Sequence, residues 1–459
     1  MIALMLGWIV FYYIRFELDI FSIEHVARPQ MVLIPSLLIA AFWICIFTFF
    51  GLYKRLYLIS RFDELVRVGK ITIIGTLIFF FLLFTDDLNW TSENISSAKY
   101  FALIYWFITF TFVSLNRLTI RTIQRATVQK GMGLHKAIIV GTGAAAKSVH
   151  ENLIRHRTSG LDVIGFIKPD HSNGNGDQRV IEDEQILGSL NEIRDIIKEN
   201  KIQDVIVALE QQDRESLIRV LDEIDLPNIT VKILPDFFQI ISGLNQTNQI
   251  FGLPLIEVMP DPMPTWEKFV KRLMDIVLSL AILVITLPVM LIVAIVIKTT
   301  STGPAIYSQE RIGLYGRKFM IYKFRSMYND AEKRTGPTWA KDDDPRITPV
   351  GYWLRRLRLD ELPQLFNVLR GDMSLVGPRP ERQFFVDQFK KQIPLYTRRL
   401  RVRPGITGWA QVKWKYDETL DDVKEKTKYD LFYVENMSLK MDLKILINTI
   451  FTMLSGKGQ

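Results

Sequence analysis

Two adjacent carboxylates, Asp360 and Glu361, sit in a run of cations: Arg355, Arg356 and Arg358 come before them, Arg370, Arg379 and Arg382 after. Cations beside a carboxylate hold it ionised by lowering its pKa. Guanidinium groups also pair with phosphate oxygens in a fork geometry. An ionised carboxylate facing a bound phosphoryl group is a candidate nucleophile or Mg²⁺ ligand. The pattern points to chemistry on a phosphate. The plainer alternative is an N-cap aspartate among solvated arginines. Two rigid turns nearby, Gly377-Pro-Arg-Pro380 and Arg403-Pro-Gly-Ile-Thr-Gly408, weigh against it.

The elements that must position the pair can be read locally. Leu362–Arg370 followed by Gly371 predicts a short helix with a glycine C-cap. Pro363 fits only in the first turn. Asp360 is then expected at or near the N-cap, where the helix dipole and free N–H groups favour an anion. Successive helical residues point about 100° apart, which fits the two acids to different tasks.

These residues belong to a longer series: Gly303-Pro-Ala-Ile-Tyr-Ser-Gln-Glu-Arg-Ile-Gly313, Phe319–Met327, Arg346-Ile-Thr-Pro-Val-Gly351, the Asp-Glu segment, the two turns above with Trp409-Ala-Gln411, and Tyr429-Asp-Leu-Phe-Tyr433 with Ser438 and Asp442. In that order they resemble the catalytic domain of the bacterial sugar transferases, initiating phosphoglycosyl transferases of the polyprenyl-phosphate hexose-1-phosphate type. The resemblance covers the chain from about Lys268 onward and is weaker before it. It implies transfer of a hexose-1-phosphate, glucose or galactose, from a UDP-hexose to undecaprenyl phosphate, with release of UMP. This would be the first membrane step of exopolysaccharide, capsule or O-antigen synthesis. It also implies a phosphosugar intermediate on Asp360, Mg²⁺ with Asp360 as its protein ligand, and Glu361 as an acid–base or positioning group. By the same resemblance Lys323, Arg325, Arg355, Arg379 and Arg403 hold phosphates, and a homodimer is an admissible assembly.

Other classes are weighed against this one. A membrane-tethered sugar-nucleotide dehydratase needs a second glycine fingerprint after residue 265 and a Tyr-x-x-x-Lys pair; neither is there. A nucleotide-sensing scaffold would rest on the middle of the chain alone. Nucleic-acid binding fits the net charge of +8 but not the intramembrane segments. The single cysteine, Cys45, excludes an intrachain disulfide and a Cys-based zinc site.

The length of 459 residues suggests several domains. Four apolar runs, Met1–Ile14, Met31–Tyr53, Ile71–Phe84 and Tyr100–Ser114, predict a four-helix transmembrane bundle over residues 1–116. Met31–Tyr53 is long enough outright; the first run is short as written. Lys54, Arg55, Arg61, Arg67 and Lys70 follow the second run, and Arg117, Arg121, Arg125 and Lys130 the fourth. Asp86, Asp87 and Glu93 lie between the third and fourth. The positive-inside rule puts the basic segments in the cytoplasm of a bacterial inner membrane. A fifth run, Met274–Ile297, has Lys268, Lys271 and Arg272 before it, Lys298 after it and Pro288 within it. A helix–break–helix that re-enters over 268–298 is expected, keeping the catalytic domain, residues 266–459, cytoplasmic.

Between these, residues 117–265 read as a Rossmann-like domain and linker. Lys136-Ala-Ile-Ile-Val-Gly-Thr-Gly-Ala-Ala-Ala146 is a strand, tight turn and helix start, a G-x-G-x-x-A fingerprint. Further strands are expected at Asp162–Ile167, Asp204–Leu209 and Ile229–Leu234, with a helix near Leu190–Asn200. No acid stands at the end of the second strand, so structural or regulatory use ranks ahead of dinucleotide binding. The fold class is thus a membrane helix bundle plus α/β, ending in a mostly helical catalytic domain. His171–Asp177 reads as a loop, Met259–Pro264 as a proline-rich linker, and Leu439–Leu454 as an amphipathic helix on the membrane or the core.

Overall fold

The computed structural model describes residues 1–16, 29–53, 61–84, 92–155, 160–169, 181–209, 214–224, 229–234, 248–250, 253–258, 263–328, 344–414 and 419–454. The charges at Lys54, Arg55, Asp86 and Asp87, the His171–Asp177 loop and most of Met259–Pro264 lie outside them.

Helices α1 (Ile2–Phe16), α2 (Pro29–Phe49), α3 (Arg61–Phe84) and α4 (Ser92–Gln129) share an aromatic core of Phe11, Trp43, Phe79 and Tyr105. Trp43 Nε1 donates to the Tyr105 hydroxyl (2.7 Å), because an indole N–H in apolar surroundings needs an acceptor. Among the described residues, three helical segments are long and apolar enough to cross a membrane: Arg61–Leu82, Tyr100–Gln129 and Thr265–Thr300. Ile2–Ile14 and Ile34–Phe49 are apolar but shorter, so the second run is not among the three. α3 begins well before its apolar run because its polar first turns are held by ion pairs. Glu64 is buried against Arg117 (2.6 Å) and Arg121 of α4.

The middle of the chain is a seven-stranded sheet in the order β3-β2-β1-β4-β5-β7-β6. Its strands are β1 His135–Val140, β2 Leu161–Lys168, β3 Ile186–Ser189, β4 Asp204–Val207, β5 Thr230–Ile233, β6 Asn248–Ile250 and β7 Leu253–Val258. β1 to β5 pair in parallel, while β6 and β7 form an antiparallel edge that the sequence pattern did not reveal. Alternate residues feed two cores. Ile138, Val140, Val205 and Val207 meet helices α6 (Ile193–Asn200) and α7 (Arg214–Glu223) on one face. Ala137, Ile139 and Ile206 meet α5 (Ala144–Arg155) on the other. Cover on both faces is why these strands read as continuous apolar runs. Gly141, first of the fingerprint, has φ +134°, and a Cβ there would lie 2.3 Å from the Ala208 carbonyl. Close strand packing alone therefore accounts for that glycine.

α8 (Thr265–Thr300) runs as one helix of 36 residues through Pro288, where two helices were expected. The missing proline N–H leaves the Val284 carbonyl without its helical donor, and Thr286 Oγ1 bonds back to Ile282 O (2.7 Å), a contact that bends helices. Val284, Ile285, Leu291, Ile292 and Ile295 are exposed. Its N-terminal part is fastened to the region that follows: Lys271 Nζ pairs with Asp442 (2.6 Å) and donates to Val376 O (3.1 Å), and Asp275 accepts from the Leu375 N–H (3.0 Å). Further along, Met290, Val293 and Ile297 enter the same core as Phe324, Leu354, Leu365, Val368 and Tyr433.

That last region holds an antiparallel hairpin, β8 (Ile306–Ile312) with β9 (Lys318–Phe324), and a short parallel pair, β10 (Ser374–Val376) with β11 (Gly405–Thr407), among short helices. The helix Leu439–Leu454 packs Ile445 into the core and exposes Leu443, Ile447, Ile450 and Phe451. The Leu395 N–H donates to Asp222 of α7 (2.8 Å), joining this region to the sheet.

Candidate active site

The Asp-Glu pair lies on a single 3₁₀ turn, Leu359–Glu361. The helix beyond it starts at Gln364 with Pro363 as its N-cap, so Asp360 is one turn ahead of the expected capping position. Pro363 has no N–H to donate, so regular α-helical bonding begins only after it. The helix stops at Gly371, in the left-handed conformation (φ 97°), as the sequence predicts. The 3₁₀ turn itself begins at Arg358, a non-glycine residue at φ 55°. That conformation costs about 1 kcal/mol or more and is held by the helix Pro349–Arg356 before it, which Thr348 caps through the Gly351 N–H (2.9 Å).

Among the described residues, three cations form ion pairs with Glu361 and none with Asp360. Lys323 Nζ is 3.3 Å from Glu361 Oε1, Arg379 Nη2 3.1 Å and Arg358 Nη1 3.9 Å. Burial opposes charge on Glu361, but Lys323, Arg379 and Arg358 outweigh it and lower its pKa to about 2. Asp360 goes the other way. Burial first, and then the Glu361 charge, raise its carboxyl above the usual value, with Lys323, Arg355 and Arg379 pulling it back in part. The expectation that the cations would leave Asp360 lowered is therefore corrected: Arg355 and Arg379 do pull it down, but burial and then the Glu361 charge outweigh them. Lys323 is lowered, by burial and by Arg379, against the pull of Glu361.

Lys323 reaches Glu361 because β9 is clamped on both edges. One edge pairs with β8. On the other, Asn367, fully buried, donates from Nδ2 to Met320 O (2.7 Å) and accepts at Oδ1 from the Tyr322 N–H (3.1 Å). A side-chain amide thus stands in for a neighbouring strand. Arg379 reaches Glu361 from the Gly377–Pro380 turn. That turn lies backbone to backbone on Arg403–Gly405; a Cβ on Gly377 would be 2.3 Å from Arg403 O.

Lys323, Arg355 and Arg379 are therefore gathered around the pair. Arg355 also donates from Nε to Ser326 Oγ (2.9 Å). Two other expected phosphate ligands are engaged elsewhere. Arg325 is buried and donates to Ser301 at the end of α8 (2.9 Å). Arg403 donates to Gly371 O (3.0 Å), beside Arg272, which donates to Val368 O and Leu369 O. Those carbonyls are the C-terminal end of the Gln364–Arg370 helix, which cations stabilise; Asp360 precedes its N-terminal end. Arg356 and Arg370 of the basic run lie over the rings of Trp353 (5.5 Å) and Tyr322 (5.8 Å). Sequence reasoning missed Asn367, for which no local signal exists, and left Arg358 without a role, although its i,i+3 spacing to Glu361 marks it.

No group of three or more His, Cys, Asp or Glu side chains poised to hold a metal occurs among the described residues. Mg²⁺ is commonly held by one or two carboxylates together with substrate phosphates. Asp360 beside Glu361 fits that mode.

Comparison with known proteins gives two family matches, one described as bacterial sugar transferase over residues 266–456 and one as a CoA-binding domain over 48–235. An N-acetylgalactosaminephosphotransferase of Aeromonas hydrophila, named for UDP-N-acetylgalactosamine and undecaprenyl phosphate, is 43% identical; the match covers 52% of this chain and 56% of that one. UDP-glucose:undecaprenyl-phosphate glucose-1-phosphate transferases of Xanthomonas campestris pv. campestris and Escherichia coli (strain K12) are 35% and 31% identical. Those matches cover 72% and 79% of this chain and 68% and 80% of theirs.

Proposed function

Because the chain belongs to the bacterial sugar transferase family, we propose that it moves a hexose-1-phosphate from a UDP-sugar to undecaprenyl phosphate, and that Asp360 is the nucleophile. The observation that carries the reading is the buried acidic pair with Lys323 and Arg379 fixed on Glu361. Among the described residues Asp360 makes no such ion pair, and it is left to react. A carboxylate oxygen of Asp360 attacks the sugar-proximal phosphorus. The bond from that phosphorus to the bridging oxygen breaks, and UMP leaves with the electron pair. A phosphate oxygen of the polyprenyl carrier then attacks the same phosphorus and displaces Asp360. No proton is gained or lost overall. Two steps spare the site from holding both polyanions at the reacting centre together. Lys323, Arg355 and Arg379 offset the phosphate charge. Mg²⁺, when bound by Asp360 and the phosphate oxygens, would add to that neutralisation.

Glu361 is a counter-ion that aims Lys323 and Arg379, because a carboxyl at about 2 has no proton to give near neutrality. Asp360 must be ionised to attack, so the acid limb of kcat/KM should lie above the ordinary carboxylate range, and the lowered Lys323 should bring the alkaline limb below the ordinary lysine value. Glu361→Gln removes a neighbouring negative charge and frees Lys323, Arg379 and Arg358. Both effects favour ionised Asp360, so the acid limb should move to lower pH while kcat falls. A pH–rate profile of that variant checks the sign; an upward move would contradict it.

We divide the chain into a membrane bundle to residue 116, a sheet domain and linker to 265, and a catalytic domain from 266, and place the last on the cytoplasmic face of the inner membrane. Four N-terminal helices embedded in the bilayer, and a re-entrant α8, belong to the same proposal. In its support, both ends of α8 hold one charged domain: Lys271 and Asp275 at one end, Ile297 and Ser301 at the other. Such a domain cannot lie on both sides of a bilayer. Trp266→Cys and Thr302→Cys, each in a Cys45→Ser background, should label from the same side of sealed vesicles. Labelling from opposite sides would make α8 an ordinary span.

The reading as a whole is tested by offering purified protein, undecaprenyl phosphate and UDP-glucose, UDP-galactose or UDP-N-acetylgalactosamine in turn, and measuring UMP. Release should require both substrates for sustained turnover. Turnover with none of the three sugars would reject the assignment.

A further inference from the structure

The Gly377–Pro380 turn is gripped through three successive carbonyls. Arg399 Nη2 donates to Arg379 O (2.9 Å), Arg311 Nη1 to Pro380 O (3.2 Å), and the Ile312 N–H to Glu381 O (2.9 Å). Of the two arginines Arg399 is the more deeply set, 5% exposed. The same Nη2 pairs with Asp430 (2.7 Å), and Nη1 donates to the Tyr396 hydroxyl (2.7 Å). Asp430 and Tyr396 are buried too.

An ion pair this deep is a poor way to gain stability. Desolvation of the two charges costs several kcal/mol each, and well-packed apolar residues of similar volume often do as well or better. What the guanidinium supplies is geometry. Its planar fork donates to a hydroxyl and a backbone carbonyl in fixed directions, with the Asp430 carboxylate ion-paired beside them. The carbonyl it holds is that of Arg379, whose own side chain ends 3.1 Å from Glu361.

We propose that Arg399, braced by Asp430 and Tyr396, is a positioning residue that fixes the Arg379 backbone and so aims the Arg379 guanidinium at the Asp360–Glu361 site. The segment that carries it is anchored at its start, where the Leu395 N–H is held by Asp222. The inference rests on Arg379 serving at that site. A long side chain on a loosely held turn samples many rotamers, and misplacement by about 1 Å can cost a hundredfold in rate.

The test is a cycle of variants assayed for UMP release in one detergent, with thermal unfolding measured alongside. Arg399→Met/Asp430→Leu removes both buried charges together. It should unfold at or above the wild-type temperature yet lose about ten- to a hundredfold in kcat with little change in the KM for UDP-sugar. Arg399→Lys keeps a cation beside Asp430 but cannot fork to Tyr396 and the Arg379 carbonyl, and should show the same kcat loss. In an Arg379→Ala background neither change should lower kcat further, since both act through Arg379. Wild-type kcat in the double variant or in Arg399→Lys would overturn the proposal, as would losses that multiply in the Arg379→Ala background. Full turnover by Arg379→Ala alone would remove the premise instead, separating failure of the site from failure of its brace.

Discussion

Asp360→Asn is expected to abolish UMP release while the protein accumulates in the membrane and unfolds at its normal temperature or above. The amide has nearly the shape of the carboxylate but no anionic oxygen, so the covalent step proposed for Asp360 would have no substitute. A nucleophile acting within a concerted site is worth roughly four orders of magnitude or more in kcat. Stability should not suffer, because the native carboxylate is raised by burial and by Glu361; a neutral side chain removes that unfavourable term. Substantial UMP release by this variant would remove Asp360 from the chemistry. The variant should also still bind UDP-sugar, since Lys323, Arg355 and Arg379 remain.

Lys323→Met is expected to lower kcat by about a hundred- to a thousandfold. The ammonium is fixed on Glu361 (3.3 Å) by a strand pinned between β8 and Asn367. It is set before substrate arrives and has no reorganisation to make during the reaction. Lys323→Arg should not restore the rate, because the longer planar guanidinium cannot occupy the same point. Folding should persist, since Glu361 keeps Arg379 and Arg358. Measured kcat within tenfold of wild type for Lys323→Met would place the phosphate away from this lysine.

Much of this was legible in the sequence, for reasons that can be located. The parallel sheet showed because Ile138–Val140 and Val205–Val207 are covered on both faces and must be apolar throughout. The acidic pair showed because its residue types and spacing are unusual for a structural helix. Whether Asp360 or Glu361 takes the cations was not legible. It depends on Lys323 and Arg379 arriving from β9 and from the Gly377–Pro380 turn, and sequence spacing does not encode that approach. The same holds for Arg325 and Arg403: each gives one nitrogen to a neighbouring carbonyl, at Ser301 and at Gly371, and sequence spacing does not encode those contacts. The edge strands β6 and β7 were missed because Asn248–Ile250 is short and Pro254 breaks the pattern of the other. Asn367 was unreadable, since a buried amide replacing a strand edge has no signature beyond an asparagine in a helix.

A single-turnover experiment bears most directly on covalent catalysis by Asp360. Purified protein in micelles free of polyprenyl phosphate is mixed with excess UDP-sugar, UMP is followed in time, and the protein is then digested and its peptides weighed. A burst of UMP close to one equivalent per active enzyme is expected, with a hexose-phosphate mass added to the peptide that contains Asp360 and absent from Asp360→Asn. UMP release that begins only when undecaprenyl phosphate is added, with no burst and no adduct, would mean direct transfer between the two substrates and would contradict a covalent role for Asp360.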